Sequence, residues 1–184
     1  KIRESSLDLE SIVLDKYMSL INKLDAKGIQ FYDAKNEMKD FPDHYEKLEE
    51  LMWKYFQDMP MPEGTAHTRM PFDQFMKYHN RFEEKLYGIE IVAVDGEKYI
   101  GSTDIYVMPK SDPYKAWTGS LGVLREYRRQ GIATALKVKA FEKLREKGIK
   151  QVRTDNEENN PMYLINVALG FKPEPYCFEY QKEI

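Results

Sequence analysis

The chain has 184 residues, of which 42% are hydrophobic and 32% charged, with a net charge of −3. That length fits one domain with a full core, and a 13% aromatic content excludes a disordered chain. A net negative charge gives no overall field for nucleic acid, and no apolar run approaches the roughly 18 residues needed to cross a bilayer.

Ile2 to Leu9 reads as a short extended segment, followed by a helical stretch from about Asp15 to Lys27 that Gly28 ends just beyond its C-cap. Ile29 to Tyr32 reads as a brief strand. From Asp40 to Asp58, Tyr45, Leu48, Leu51, Met52, Tyr55 and Phe56 recur at three- and four-residue steps, the period of an amphipathic helix. Met59-Pro60-Met61-Pro62-Glu63-Gly64 interrupts it, since proline removes a donor and glycine loosens the backbone. A shorter helix is expected from Pro71, a residue suited to a first helical position.

Ile89 to Val94 and Tyr99 to Val107 flank Asp95-Gly96-Glu97-Lys98, a hairpin signal. Ala116 to Leu124 is the next strand. A helix of about five turns then runs to Lys147, with Ala133, Leu136, Ala140 and Leu144 on one face and Gly148 closing it. Ile149 to Thr154 reads as β, Pro161 to Leu169 as a helix ended by Gly170, and Cys177 to Tyr180 as a last strand. Helices first, then a hairpin, then strand–helix–strand–helix–strand predicts a mixed α/β or α+β domain.

The single cysteine, Cys177, rules out an internal disulfide and reads as a small apolar residue near a strand end. His44, His67 and His79 share no ligand-like spacing, so no metal is expected. The opening residues, Lys1 to Ser6, lack the apolar stretch of a secretory signal, and a cytoplasmic location is expected. The chain does not begin with methionine, which suits a processed product or a piece of something longer. No nucleic-acid or membrane partner is expected.

The informative segment runs from Leu121 to Phe171. Leu121-Gly122-Val123 closes a strand, and Arg128-Arg129-Gln130-Gly131-Ile132-Ala133-Thr134 opens the long helix. The first turn of a helix leaves backbone N–H groups without partners, and with the helix dipole they make a site for phosphate oxygens. Gly131 has no Cβ to hold phosphates away from the backbone, and Ala133 keeps the wall shallow. Arg125, Arg128, Arg129, Lys137 and Lys139 crowd the same stretch against Glu126 alone, either as an ordinary solvated helix face or as part of an anion site. No Gly-Lys-Ser/Thr follows the glycine, and the Gly-x-Gly-x-x-Gly dinucleotide pattern is absent.

Val123 followed by Arg128-x-x-Gly131-x-Ala133 resembles the acyl-CoA-binding motif of the GNAT superfamily of N-acyltransferases. Asn156 and Asn159, then Asn166-Val167-Ala168-Leu169-Gly170-Phe171, resemble that family's closing motif, and together the two cover residues 115–172. The stretch Thr154 to Met162 looks most like bacterial proteins with two GNAT domains in tandem, in which a segment like Lys1 to Ile12 links the halves. On that resemblance residues 1–14 are a linker or terminal strand and residues 15–184 a single acyltransferase domain. A second GNAT domain or a homodimer is the implied macromolecular partner.

The resemblance implies a bent, mostly antiparallel sheet, splayed between the strand ending at Val123 and the one starting near Ile149. The pantetheine arm of acetyl-CoA or another acyl-CoA would lie in the opening, paired with the backbone of Leu121, Gly122 and Val123 as an added strand would be. The backbone from Arg129 through Gln130, Gly131, Ile132 and Ala133 to Thr134 would hold the pyrophosphate, with Arg128 beside it, and Asn159 would reach the pantetheine. Gly131→Val is then expected to abolish coenzyme binding without unfolding the protein.

Acyl transfer to the amine of a small molecule or peptide needs a neutral amine, a polarised carbonyl and a proton for the thiolate. A backbone N–H near Val123 can polarise the carbonyl. Many relatives supply the proton from a tyrosine at the position held here by Asn166, which is no acid; Tyr163, one helical turn earlier, or water stands in its place. Tyr163 reads equally as a packing residue. The strand from Ala116 to Leu124 carries no carboxylate, which leaves Glu126, Asp104 and Asp155 as candidate bases nearest in sequence, each equally a surface charge, or a water chain. The missing acid and strand carboxylate also fit a degenerate domain that binds acyl-CoA or serves as a structural half. The loop Met59 to Gly64 is expected to shape acceptor specificity or else simply to connect.

Overall fold

The computed structural model describes residues 2–59, 65–85, 87–107, 112–157 and 161–175. In chain order these form β1 (Ile2–Asp8), a 3₁₀ turn (Leu14–Tyr17), α1 (Met18–Asp25), β2 (Ile29–Asp33), α2 (Ala34–Glu37), α3 (His44–Phe56) and α4 (Phe72–Lys85). Then come β3 (Tyr87–Asp95), β4 (Lys98–Val107), β5 (Lys115–Val123), α5 (Ile132–Glu146), β6 (Gln151–Glu157), α6 (Pro161–Leu169) and β7 (Lys172–Pro173). The expected strand over Cys177–Tyr180, most of the loop Met59 to Gly64, and Asn159 lie outside the described residues.

One seven-stranded sheet has the order β2-β3-β4-β5-β6-β1-β7. All neighbouring pairs are antiparallel except β5 with β6. The α+β class and the bent, mostly antiparallel sheet flanked by helices are as expected. The hairpin turns at Gly96, whose φ of 59° a β-carbon tolerates poorly. The N-terminal strand β1 sits inside the sheet, between β6 and β7, and its Leu7 is 1% exposed. Residues 2–8 are thus part of the sheet itself.

Two apolar layers cover the sheet. On one face α5 buries Ile132, Ala135, Leu136, Ala140, Phe141 and Leu144, packed with Leu7, Val123, Val152, Leu169 and Phe171. On the other, α3 and α4 bring Leu48, Leu51, Tyr55 and Phe75 against Val92, Val94 and Tyr99. The helix expected from Asp40 starts at His44, because Asp43 holds a left-handed φ of 52° and the segment before it turns. The stretch expected as one helix from Asp15 divides into the 3₁₀ turn and α1. The long helix runs from Ile132 to Glu146, and Gly148, at φ 76°, closes it.

Candidate functional site

β5 and β6 pair only through Lys115–Trp117 and Gln151–Arg153. Beyond Trp117 and Arg153 the parallel strands part, and Thr118 donates to Thr154 Oγ1 at 2.7 Å in the crotch of the fork. A register shift in the β4–β5 ladder, between Thr103 and Ile105, bends β5 away at the same level.

The backbone of β5 divides its hydrogen bonds between two sides. Leu124 donates its N–H to Ile100 O at 2.9 Å, and hydrogen-bonded positions alternate along an antiparallel pair. Gly122 therefore turns its N–H and C=O towards β4, while Leu121 and Val123 turn theirs towards the fork. The Val123 carbonyl already accepts from Arg128 Nε at 2.9 Å. Gly122 matters in another way: a β-carbon there would fall within the Tyr55 ring.

At the open end of the fork α5 begins with Gly131 at φ 86° and no side-chain cap. Arg129 also has a positive φ, 60°, so the Arg128–Gly131 turn curls its backbone ahead of the helix. The N–H groups of Ile132, Ala133 and Thr134 precede the first intrahelical bond, Ala135 N–H to Gly131 O. Ile132 buries its side chain in the core. The positive φ of Gly131 favours glycine there, and a β-carbon would also push the end of the Leu20 side chain, 2.7 Å away at Cδ1.

Most cations of this stretch already have partners. Arg125 and Arg128 both hold Asp58, at the end of α3, and the paired guanidiniums keep the Asp58 carboxyl down at about 2. Lys139 pairs with Glu142 at 2.9 Å, Lys137 is buried, and Gln130 accepts from Lys27. Arg129 is the cation of the group left on the surface without an ion pair, among the described residues.

On the α3 face, Asp104 of β4 crosses to β5. Its carboxylate accepts the Ser120 N–H at 2.8 Å and the Ser120 hydroxyl, and a β-carbon at Gly119 would collide with it. Burial raises the Asp104 carboxyl to about 6, with the Glu90 charge adding to it and the Ser120 bonds opposing. Tyr55 Oη lies 3.1 Å from Ser120 Oγ and 3.3 Å from Ser102 Oγ, and burial pushes its phenol upward. Glu90, opposite Asp104 in the ladder, meets His79 Nε2 at 3.1 Å.

Of the three candidate bases, only Asp104 lies in this enclosed cluster. Glu126 is exposed, pairs with Lys98 at 2.9 Å and has its carboxyl pulled downward by a backbone hydrogen bond and by Lys98. Asp155 is exposed on β6. Asn166 is 1% exposed and donates to Asn156 Oδ1 at 2.6 Å, which places it against the β6 arm of the fork. Tyr163, three residues earlier on α6, is half-buried. Sequence reasoning missed Tyr55 and Ser120, whose partners come from strands and helices far along the chain. Among the described residues no three potential ligands cluster as a metal site would require, and no helix is long and apolar enough to cross a membrane.

A family model described as the acetyltransferase (GNAT) family matches residues 45–171. No curated protein sequence matches the chain. Among solved structures, a tandem GNAT protein from the clavulanic acid biosynthesis pathway aligns with a TM-score of 0.63 and 22% identity, over 94% of this chain and 50% of that one. A GCN5-related N-acetyltransferase from Sphaerobacter thermophilus aligns at 0.64 and 16%, over 94% and 48%. AAC(6')-Iy, solved with a CoA-S-monomethyl-acetylneamine bisubstrate analogue, aligns at 0.60 and 16%, over 85% and 99%. The chain thus spans about half the length of the first two and nearly all of the third.

Proposed function

The chain belongs to the GNAT acetyltransferase family, and from that premise we propose that it transfers an acetyl or other acyl group from acyl-CoA to a primary amine. The observation that carries this reading is the fork itself. Parallel pairing stops at Trp117 and Arg153, and an uncapped helix start stands at its open end. A fork-facing backbone edge suits a chain of amides, and free N–H groups at a helix start suit a pyrophosphate. Both fit the coenzyme, which supplies the activated acyl thioester.

The protein's part is to hold and to move protons. The Leu121 and Val123 N–H groups face the fork and serve the acyl carbonyl oxygen as it gains charge. Asp104 is the base in this reading: enclosed, raised to about 6, and ionised at neutral pH, so that it accepts the amine's proton. Ser120 holds its oxygens in place and Tyr55 holds Ser120. Glu90 adds a second negative charge on the acceptor face, which draws in an amine as ammonium; its first proton goes to water, and the neutral amine attacks and sheds its second to Asp104. The acetylneamine part of the bisubstrate analogue bound by AAC(6')-Iy comes from an amine of that class. A second GNAT domain in the whole protein is consistent with the half-length matches.

The test is release of free CoA thiol from acetyl-CoA in the presence of a panel of primary amines. Amine-dependent thiol release that rises with pH through about 6 is the expected result. Thiol release that no amine accelerates, from a protein that binds acetyl-CoA, contradicts the transferase reading.

A further inference from the structure

Lys137 is the only lysine or arginine that is buried among the described residues, at 3% exposed. It is the sixth residue after Gly131, so it lies about 9 Å down the α5 axis. Its ammonium rests 5.4 Å from the centre of the Phe171 ring. Among the described residues it pairs with no carboxylate, and burial alone lowers it to about 7. A cation enclosed without a counter-ion is costly, and an apolar side chain of the same length would fill the space without that cost.

A second buried group nearby lacks a partner of the opposite kind. Among the described residues Asn166 Oδ1 is buried with no hydrogen-bond donor, while its Nδ2 is engaged with Asn156. Asn166 and Lys137 meet at one residue: Phe171 donates its N–H to Asn166 O at 3.0 Å and offers its ring to Lys137. Both stand on the α5 face of the sheet. The polar side chains that α6 carries are Tyr163 and Asn166. Those that β5 and β6 turn to this face near the fork are Thr118, Thr154 and Asn156, and none of the five is a carboxylate. A buried donor and a buried acceptor, both without hydrogen-bond partners among the described residues, thus meet at Phe171 on this face, and Asn166 is tied through Asn156 to Thr154 in the crotch of the fork.

We propose that Lys137 meets the sulfur of the coenzyme, steadying the departing thiolate with its charge and passing it a proton. This rests on the reading that the fork holds acyl-CoA. As the amine nitrogen bonds to the acyl carbon, the C–S bond breaks and its electron pair stays on sulfur. One Nζ proton moves to that sulfur, leaving free CoA thiol and a neutral lysine amine, which regains a proton from water. The proton that the attacking amine sheds goes to Asp104, on the opposite face. Asn166 is a positioning residue whose amide lies beside the sulfur.

The test needs no knowledge of the amine. Free CoA is bound to the wild-type protein and to Lys137→Met, and thiol ionisation is followed with pH by the ultraviolet absorbance of the thiolate. The expected result is a bound thiol that ionises at least tenfold more readily than free CoA in the wild type, with that gain lost in Lys137→Met. Equal ionisation in two proteins that both bind CoA overturns the proposal. If Lys137→Met does not fold, an unshifted thiol on the wild-type protein overturns it equally. Desulfo-CoA serves as control: if the substitution weakens it as much as CoA, Lys137 serves the phosphates instead. No saturable CoA binding by the wild type sinks the coenzyme reading, and this inference with it.

Discussion

The two sides of the fork are built on different principles. The coenzyme side is made of backbone: Leu121 and Val123 face the opening, and Gly131 starts α5 without a cap. The acceptor side is made of side chains from separate elements: Asp104 from β4, Ser120 from β5 and Tyr55 from α3. A backbone site tolerates most substitutions that keep its dihedral angles, whereas the acceptor cluster depends on single atoms. Damage on the first side should therefore appear in coenzyme affinity, and damage on the second in turnover.

The largest effect is expected at Asp104. Asp104→Asn keeps an acceptor for the Ser120 N–H but no base, and should cut turnover roughly 10²-fold or more, with acetyl-CoA affinity unchanged. In the wild type the rate should rise with pH through about 6, because only the ionised carboxyl accepts a proton. Its raised value also means that its contribution to stability is present below the ordinary 3.8 and lost as pH rises through about 6. The Asn variant should thus be no less stable than the wild type at pH 8, a point that thermal unfolding checks.

Next comes Gly131→Val. Forcing a left-handed φ on a branched residue costs about 1–2 kcal/mol, and Leu20 must also give way. Thermal unfolding should show that loss, and calorimetry should show coenzyme binding weakened roughly tenfold or more, each lost charge-assisted bond being worth about 1.5–3 kcal/mol. Wild-type affinity in this variant would break the backbone half of the comparison.

Asp58→Ala should act more gently. It frees Arg125 and Arg128 from the end of α3 and loosens the turn before α5, weakening acetyl-CoA by roughly two- to fivefold as exposed ion pairs do. Because the Asp58 carboxyl is held at about 2, its contribution is full above the ordinary 3.8 and is lost as pH falls from there through about 2. The smallest effect is expected from Glu126→Gln, which removes only an exposed pairing with Lys98. A large loss of turnover there would move the base away from Asp104.

The same contrast explains what could be read from the sequence. Elements with local signals were legible: the Gly96 hairpin, the α5 face with Leu136, Ala140 and Leu144, and the glycine before it. The fork was legible through the resemblance of the Arg128–Ala133 stretch and the Asn166–Phe171 closing run. Asp104 stood among three acidic candidates because nothing local marks it; its partner lies 16 residues away across a ladder. Tyr55 reads as one more apolar position of an amphipathic helix, and only the packing of α3 over Gly122 reveals its hydroxyl between two serines. Lys137 reads as one cation in a basic run, and its burial follows from Phe171, 34 residues further on. Arg128 reads as a phosphate ligand but is engaged by Val123 and Asp58.

The central claim is that the fork and the turn before α5 form a coenzyme site, and calorimetric titration of the purified protein with acetyl-CoA, with free CoA as control, tests it most directly. The account predicts saturable, one-site binding of both, weakened by Gly131→Val and unaffected by Asp104→Asn. Absence of heat and of saturation with either ligand, from a folded wild-type protein, would contradict it.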